Sequence, residues 1–316
     1  MTQAFETEIA EEGGVLSGPW RGPRQMLAAQ EYGGHASIHD DATAQKLGFK
    51  GGTIEGPTHF SQVAPLGVRL WGERFLSEGN ISAHYRNACF EGDQVRALVT
   101  VPPAGATQAE LRMEREDGME VLKGTIGVGG GDTSALTARL AGLPAPHLLV
   151  ILRDVHVGMT TPRQSVKMDA DQNMGALYPF SLRQKLERIT EPSPWYAGAG
   201  GNPFGRAIVP FEMVSVLLNH VGSFFPVKGP SVGLFADQEI RMVKGPLFVG
   251  EPYEIEREVV ALGESKRTES MWVLTKVFAP GRDEVLATML LNSATMKESY
   301  APYAAEAAEL KRVHTL

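Results

Sequence analysis

Cysteine occurs once in the 316 residues, at Cys89, so no internal disulfide can form and no cysteine-based metal cluster can be built. Its setting between Ala88 and Phe90 reads as a small buried hydrophobe, with a reactive thiol as the alternative. The sequence has no run of roughly eighteen or more apolar residues, and the acidic start Met1-Thr2-Gln3-Ala4-Phe5-Glu6-Thr7-Glu8 lacks a signal-peptide core. A cytoplasmic, non-membrane location is the expectation. Dense blocks of lysine and arginine are also missing: 30 basic residues face 37 acidic ones, for a net charge of -7. That balance argues against nucleic acid as a partner. Gly127-Val128-Gly129-Gly130-Gly131 is glycine-rich, but no Lys-Ser/Thr pair follows it, so it is no phosphate loop. With 43% hydrophobic and 21% charged residues the chain is globular in composition. Its length suffices for two domains, each with its own core.

What the chain does contain is an echo of itself. Phe49-Lys50-Gly51-Gly52-Thr53-Ile54-Glu55-Gly56-Pro57 opens an apolar stretch to Trp71, and Phe204-Gly205-Arg206-Ala207-Ile208-Val209-Pro210-Phe211 opens a matching stretch to Phe225. A glycine-acid corner follows each, Phe90-Glu91-Gly92-Asp93 in the first half and Phe248-Val249-Gly250-Glu251 in the second. An offset of about 155 residues is too long for a solenoid repeat and implies two copies of one domain fold. Any site is expected where the copies meet.

Between Phe60 and Trp71, apolar residues recur at three- and four-residue spacing, which predicts a helix with one broad buried face. The run Met213 to Val221 is apolar nearly all round and predicts an enclosed helix. Strands follow each helix. Gln108 to Arg115 alternates, Asp117-Gly118 turns, and Glu120 to Val128 returns as a hairpin; Ser270 to Phe278, Pro280-Gly281-Arg282-Asp283 and Val285 to Ala294 repeat the pattern. Glycine, serine and proline crowd from Gly129 to Pro146, so the expected division is a first domain at 1–135, a linker at 136–146 and a second domain at 147–316. Ala301 to Leu316 reads as a short terminal helix.

One helix wrapped by antiparallel strands, twice in one α+β chain, resembles the tandem (double) hotdog proteins of the MaoC-like hydratase/dehydratase family. In sequence the resemblance lies in His39-Asp40-Asp41-Ala42-Thr43-Ala44-Gln45-Lys46-Leu47-Gly48-Phe49 through Ile54-Glu55-Gly56, and in the Gly92-Asp93 corner. Family members carry Asp-x-Asn-Pro-x-His-x-Asp, an alanine-rich turn, Gly-Phe and a helix-starting glycine. The spacing from Asp40 through Phe49 to Gly56 is kept without a gap. The family's catalytic residues are not. Counting back from Phe49, the catalytic histidine falls on Ile38 and the aspartate on Gly33, and in the second copy the same count lands on Ser193 and Arg188.

The resemblance implies addition or loss of water on an acyl thioester, enoyl-CoA or 3-hydroxyacyl-CoA in class, without a cofactor. Such chemistry needs a base, an acid and donors for the enolate oxygen. For Gly56, followed by Pro57 at the helix start, it implies the oxyanion contact; close approach to a strand is the alternative. His39, Asp40, Glu55 and His59 are the titratable groups near that helix start and the candidate acids and bases. His39 with Asp40 could equally be a turn in which Asp40 caps the helix after it. Glu55 stands where many relatives have histidine, and burial would make it a stronger base; an ordinary helix-dipole partner is the other reading. His59, one turn on, could share its face. His84 reads as a sheet residue. A metal at His35 and His39 lacks a nearby third ligand. Gly198 to Pro203 could be a lid or an ordinary connection. A thioesterase, and a binding protein that has lost the dyad, are the rival functions. A homodimer is a further possibility.

Overall fold

The computed structural model describes residues 3–31, 33–131, 133–199, 201–222 and 225–314. Strands β1 (Ala10–Glu12) and β2 (Val15–Ser17) precede helix α1 (Asp41–Lys46). A 3-10 turn, Gly56–His59, runs into α2 (Phe60–Trp71), followed by α3 (Arg74–Glu78), β3 (Gly79–Tyr85), β4 (Val95–Thr100), β5 (Gln108–Arg115) and β6 (Glu120–Val128). The second half has α4 (Ala135–Ala141), β7 (Gln164–Val166), α5 (Leu182–Leu186), α6 (Phe211–Asn219), β8 (Gly233–Met242), β9 (Tyr253–Glu264), β10 (Thr268–Phe278), β11 (Val285–Met296) and α7 (Tyr303–His314).

All the strands form one antiparallel sheet in the order β1-β2-β4-β5-β6-β3-β8-β11-β10-β9-β7. The order is a repeat folded about its centre: β2-β4-β5-β6-β3 on one side is matched by β7-β9-β10-β11-β8 on the other. Two isolated bridges mark the same point of each copy, Thr53 with Phe90 and Ile208 with Phe248. Each tethers the residue just before a central helix to the glycine-acid corner. The period-2 burial of β9, where Tyr253, Ile255, Arg257 and Val259 face inward, shows the sheet curling around α6. Phe60, Val63, Ala64 and Leu66 on α2 and Met213, Val214, Leu217 and Leu218 on α6 are wholly buried. At about 1.5–3 kcal/mol for each large apolar side chain removed from water, these two helices supply much of the folding drive.

The copies join by β3 against β8, with Ser82 opposite Glu239 and His84 opposite Asp237. On one face of this seam His84 Nδ1 lies 2.6 Å from the fully buried Asp237 carboxylate, which also accepts from Asn292 at 2.7 Å and pairs with Arg139 of α4 at 3.1 Å. On the other face Tyr85 Oη donates to Gln238 Oε1 at 3.1 Å. His84 is thus a sheet residue, as its sequence setting suggests.

The expected linker is more ordered than its composition implies. Ser134 caps α4 by accepting from Thr137 N, and Leu136 is buried against Trp272 and Leu290. The 129–146 connection is therefore pinned across the seam instead of hanging free; Asp132 lies outside the described residues. The terminal helix forms as α7, with Thr315 and Leu316 outside the described residues. Among the described residues no helix is long and apolar enough to cross a membrane.

Candidate active site

A cavity of about 770 Å³ opens between the two copies. Its first-copy wall is built on the corner that leads into α2. Ile54 N is held by Cys89 O at 2.8 Å, and Pro57 fixes the first turn after Gly56. This geometry places Glu55, Gly56 and His59 on the cavity together.

Glu55 is buried, with Tyr178 Oη of the second copy donating to its Oε1 at 3.2 Å. Burial pushes its pKa up to about 7, partly opposed by the Lys185 ammonium and the Tyr178 hydroxyl, and reinforced by the Glu212 carboxylate. His59 is also buried, its Nδ1 has no hydrogen-bond partner among the described residues, and burial together with Lys185 drives its pKa down to about 4. Lys185 itself is buried; its Nζ donates to Thr58 Oγ1 at 3.2 Å and stands 3.8 Å from Glu212, whose own pKa burial raises to about 7. One ammonium and two carboxyl groups are therefore buried together at the start of both central helices, Glu55 on the cavity and Lys185 and Glu212 behind its wall.

His39 lines the cavity and is half-buried, with Nδ1 2.6 Å from Thr53 O. A carbonyl only accepts, so Nδ1 carries the proton and Nε2 keeps its lone pair. Burial lowers the pKa of this ring, the bond to Thr53 opposing. The structure does not bring Asp40 to the site. Its carboxylate accepts from Thr43 N at 2.8 Å as the N-cap of α1, is exposed, and is held below the usual range by that bond. Helix capping accounts for Asp40, and the catalytic expectation for it is corrected.

Gly56 has a specific steric reason. A Cβ there would come within 2.4 Å of Tyr85 Cζ, so the ring on β3 packs directly against the helix start. Close approach to the strand accounts for the glycine, while its position on the cavity leaves the oxyanion contact geometrically open. Ile38 and Gly33, at the register of the family dyad, also line the cavity and bring no titratable group. In the second copy Arg188 is exposed and Ser193 caps the 3-10 turn at Pro194–Ala197; neither reaches the cavity. Pro210 stands at the register of Glu55 and brings no carboxyl, so the second helix start does not repeat the first.

His35 and His39 do not converge on a metal: their Nδ1 atoms face Ser231 O at 3.2 Å and Thr53 O. Among the described residues no three His, Cys, Asp or Glu side chains are placed to hold one. Cys89 lies buried in the wall, its thiol pushed up to about 12 chiefly by burial. The loop from Gly198 to Pro203 contributes no described residue to the cavity, which leaves the ordinary connection as its role; Gly200 lies outside the described residues. Tyr178, Lys185 and Glu212 were not among the sequence candidates. Of these, only Glu212, a charge in the apolar stretch Phe211-Glu212-Met213-Val214, leaves a local trace in the sequence.

No family model matches the sequence, and no curated protein matches it. Similarity appears in structure. A conserved Mycobacterium tuberculosis protein described as having a double hotdog fold superposes with a TM-score of 0.57 at 13% identity, covering 91% of this chain and 97% of that one. This chain has the double hotdog fold. A protein from Chloroflexus aurantiacus, described as having been assigned to the MaoC domain dehydratases, superposes with a TM-score of 0.53 at 15% identity over 93% of this chain and 95% of that one. At such identities the likeness concerns the path of the chain, and the double hotdog's chemistry must be read from its side chains.

Proposed function

We propose that this double hotdog protein is a hydratase/dehydratase acting on an acyl thioester at the corner formed by His39, Glu55 and Gly56. The observation that carries the proposal is Glu55: a carboxyl on the cavity, bonded to Tyr178, and near half-ionised at neutral pH. Elimination of water needs one group that takes a proton and another that gives one. His39, kept neutral by burial, offers Nε2 to the proton on the carbon next to the thioester carbonyl. As that C–H bond breaks, the electron pair forms the enolate and then the double bond. The C–O bond to the 3-hydroxyl breaks, and protonated Glu55 gives its proton to the leaving oxygen, so that water departs. Proton return from His39 to Glu55 resets the site, and hydration is the reverse. The backbone N–H of Gly56, at the start of the helical run, is suited to the developing oxyanion. The Chloroflexus relative's description supports the reaction class by analogy.

The test is to incubate the purified protein and Glu55→Gln with paired enoyl and saturated acyl thioesters, following double-bond absorbance and thiol release together. Absorbance change without thiol, lost in Glu55→Gln, is the expected result. Thiol release would instead make it a thioesterase, and inertness toward every thioester would make it a binding protein or an enzyme for another substrate.

A further inference from the structure

The second-copy wall of the cavity holds a charge that the proton transfers above do not use. Helix α6 has 9 residues against 12 in α2, and the cavity continues past its end along Asn219 and His220. There, Arg257 of β9 faces inward, 2% exposed, and lines the cavity. Its guanidinium donates to Leu218 O at 2.7 Å and to Gln164 Oε1, and among the described residues no carboxylate lies within ion-pairing distance. Its other N–H groups have no protein partner among those residues. Thr275 is its neighbour across the strand pair, and Val273 and Leu291 continue the same face. His220 brings no negative charge, since an imidazole is neutral or cationic; its Nδ1 donates to Leu217 O at 3.0 Å.

Taking a guanidinium out of water without an anion is strongly unfavourable. The end of α6 and two hydrogen bonds offset only part of that. Burial lowers this arginine to about 10. An anion that completes its hydrogen bonds would have to enter through the cavity.

We infer that Arg257 receives a carboxylate at the far end of the acyl group, making the ligand a dicarboxylic acyl compound instead of a simple fatty one. The thioester end of that ligand rests on the reading above; the carboxylate end does not. Tyr85, packed on Gly56, bonds to Gln238, whose Nε2 lies 3.2 Å from Met289 Sδ; Met289, Thr275 and Arg257 then follow on neighbouring strands. With strands about 4.8 Å apart, Met289 and Arg257 are separated by roughly 10 Å, and Tyr85 at the corner lies two strands beyond Met289 in the sheet.

The experiment is calorimetric titration of the whole protein with the half-amide of suberate and with octanamide, which differ only in the distal carboxylate, alongside turnover of trans-2-octenedioyl and trans-2-octenoyl thioesters. Tighter binding of the suberate half-amide, roughly tenfold as one charge-assisted hydrogen-bond pair provides, is expected in the native protein. The preference should vanish in Arg257→Met and survive in part in Arg257→Lys. Equal binding of the two amides by the native protein, or binding of neither, overturns the inference even if Arg257→Met fails to fold. A preference for the half-amide without turnover of any thioester would instead uphold Arg257 as the carboxylate site and defeat the hydratase reading.

Discussion

Replacing Glu55 by glutamine should make the stability of the protein less sensitive to pH, in a direction fixed by where the carboxyl sits. Its pKa rises from 4.5 to about 7 on folding, chiefly through burial. A raised folded pKa means that the contribution is fully present below pH 4.5, where both states are protonated, and is lost as pH climbs through 7. At about 1.4 kcal/mol per pKa unit the loss is on the order of 3 kcal/mol. Glutamine keeps the shape and cannot ionise. Urea unfolding of both proteins from pH 4 to 8.5 should therefore show Glu55→Gln gaining on the native protein across that interval, with a constant gap on either side. His59 supplies an opposite slope, since its pKa falls to about 4 on folding and its contribution is lost as pH drops from 6.5 through 4. Both proteins carry His59, so that slope cancels in the difference. A gap that stays constant or narrows as pH rises would show that Glu55 is not desolvated, and the proton-transfer role argued for it would go with that result.

Replacing His39 by alanine should lower turnover at least about tenfold, or about 1.4 kcal/mol of transition-state stabilisation, while circular dichroism stays unchanged; a native rate would transfer the role to His59. Gly56→Ala should cost about 1–3 kcal/mol by driving a methyl into the Tyr85 ring, and Gly56→Ala combined with Tyr85→Ala should recover part of that loss if the clash is the cause. Lys185→Met should destabilise by about 3–5 kcal/mol, because it strands the Glu212 carboxylate. It should also move the Glu55 titration upward, seen by carboxyl infrared difference against Glu55→Gln.

Much of the frame was legible because it rests on local periodicity. Apolar spacing marked the helix from Phe60 to Trp71 residue for residue, and Asp117-Gly118 marked the turn between β5 and β6. The duplication was visible as repeated corners, which the bridges Thr53 to Phe90 and Ile208 to Phe248 explain physically. Side-chain roles were less legible. Asp40 beside His39 fits both a capping and a catalytic pattern, and only its bond to Thr43 N separates them. The hydroxyl that reaches Glu55 comes from Tyr178, 123 residues away, and no spacing rule encodes such a meeting. Composition gave no sign of the order at the start of 136–146, because Leu136 owes its burial to Trp272 and Leu290, far along the chain.

The two copies have divided their labour along a physical line. The proposed site needs a free N–H and a carboxyl together at a helix start; Glu55-Gly56 supplies both, whereas Pro210-Phe211 at the same register has no carboxyl on the cavity. Released from that duty, the second copy ends its helix earlier and leaves room beyond Asn219, where a ligand can replace the missing turn. It also lends Tyr178 and Lys185 to the first copy's site. Neither copy alone has the site: the first lacks the hydroxyl and ammonium that tune Glu55, and the second lacks Glu55. The duplication is thus an asymmetric pair in which the β3–β8 seam, by holding Tyr85 on Gly56 and Gln238 beside Met289, sets the distance between the corner proposed to react and the wall proposed to read the rest of the ligand.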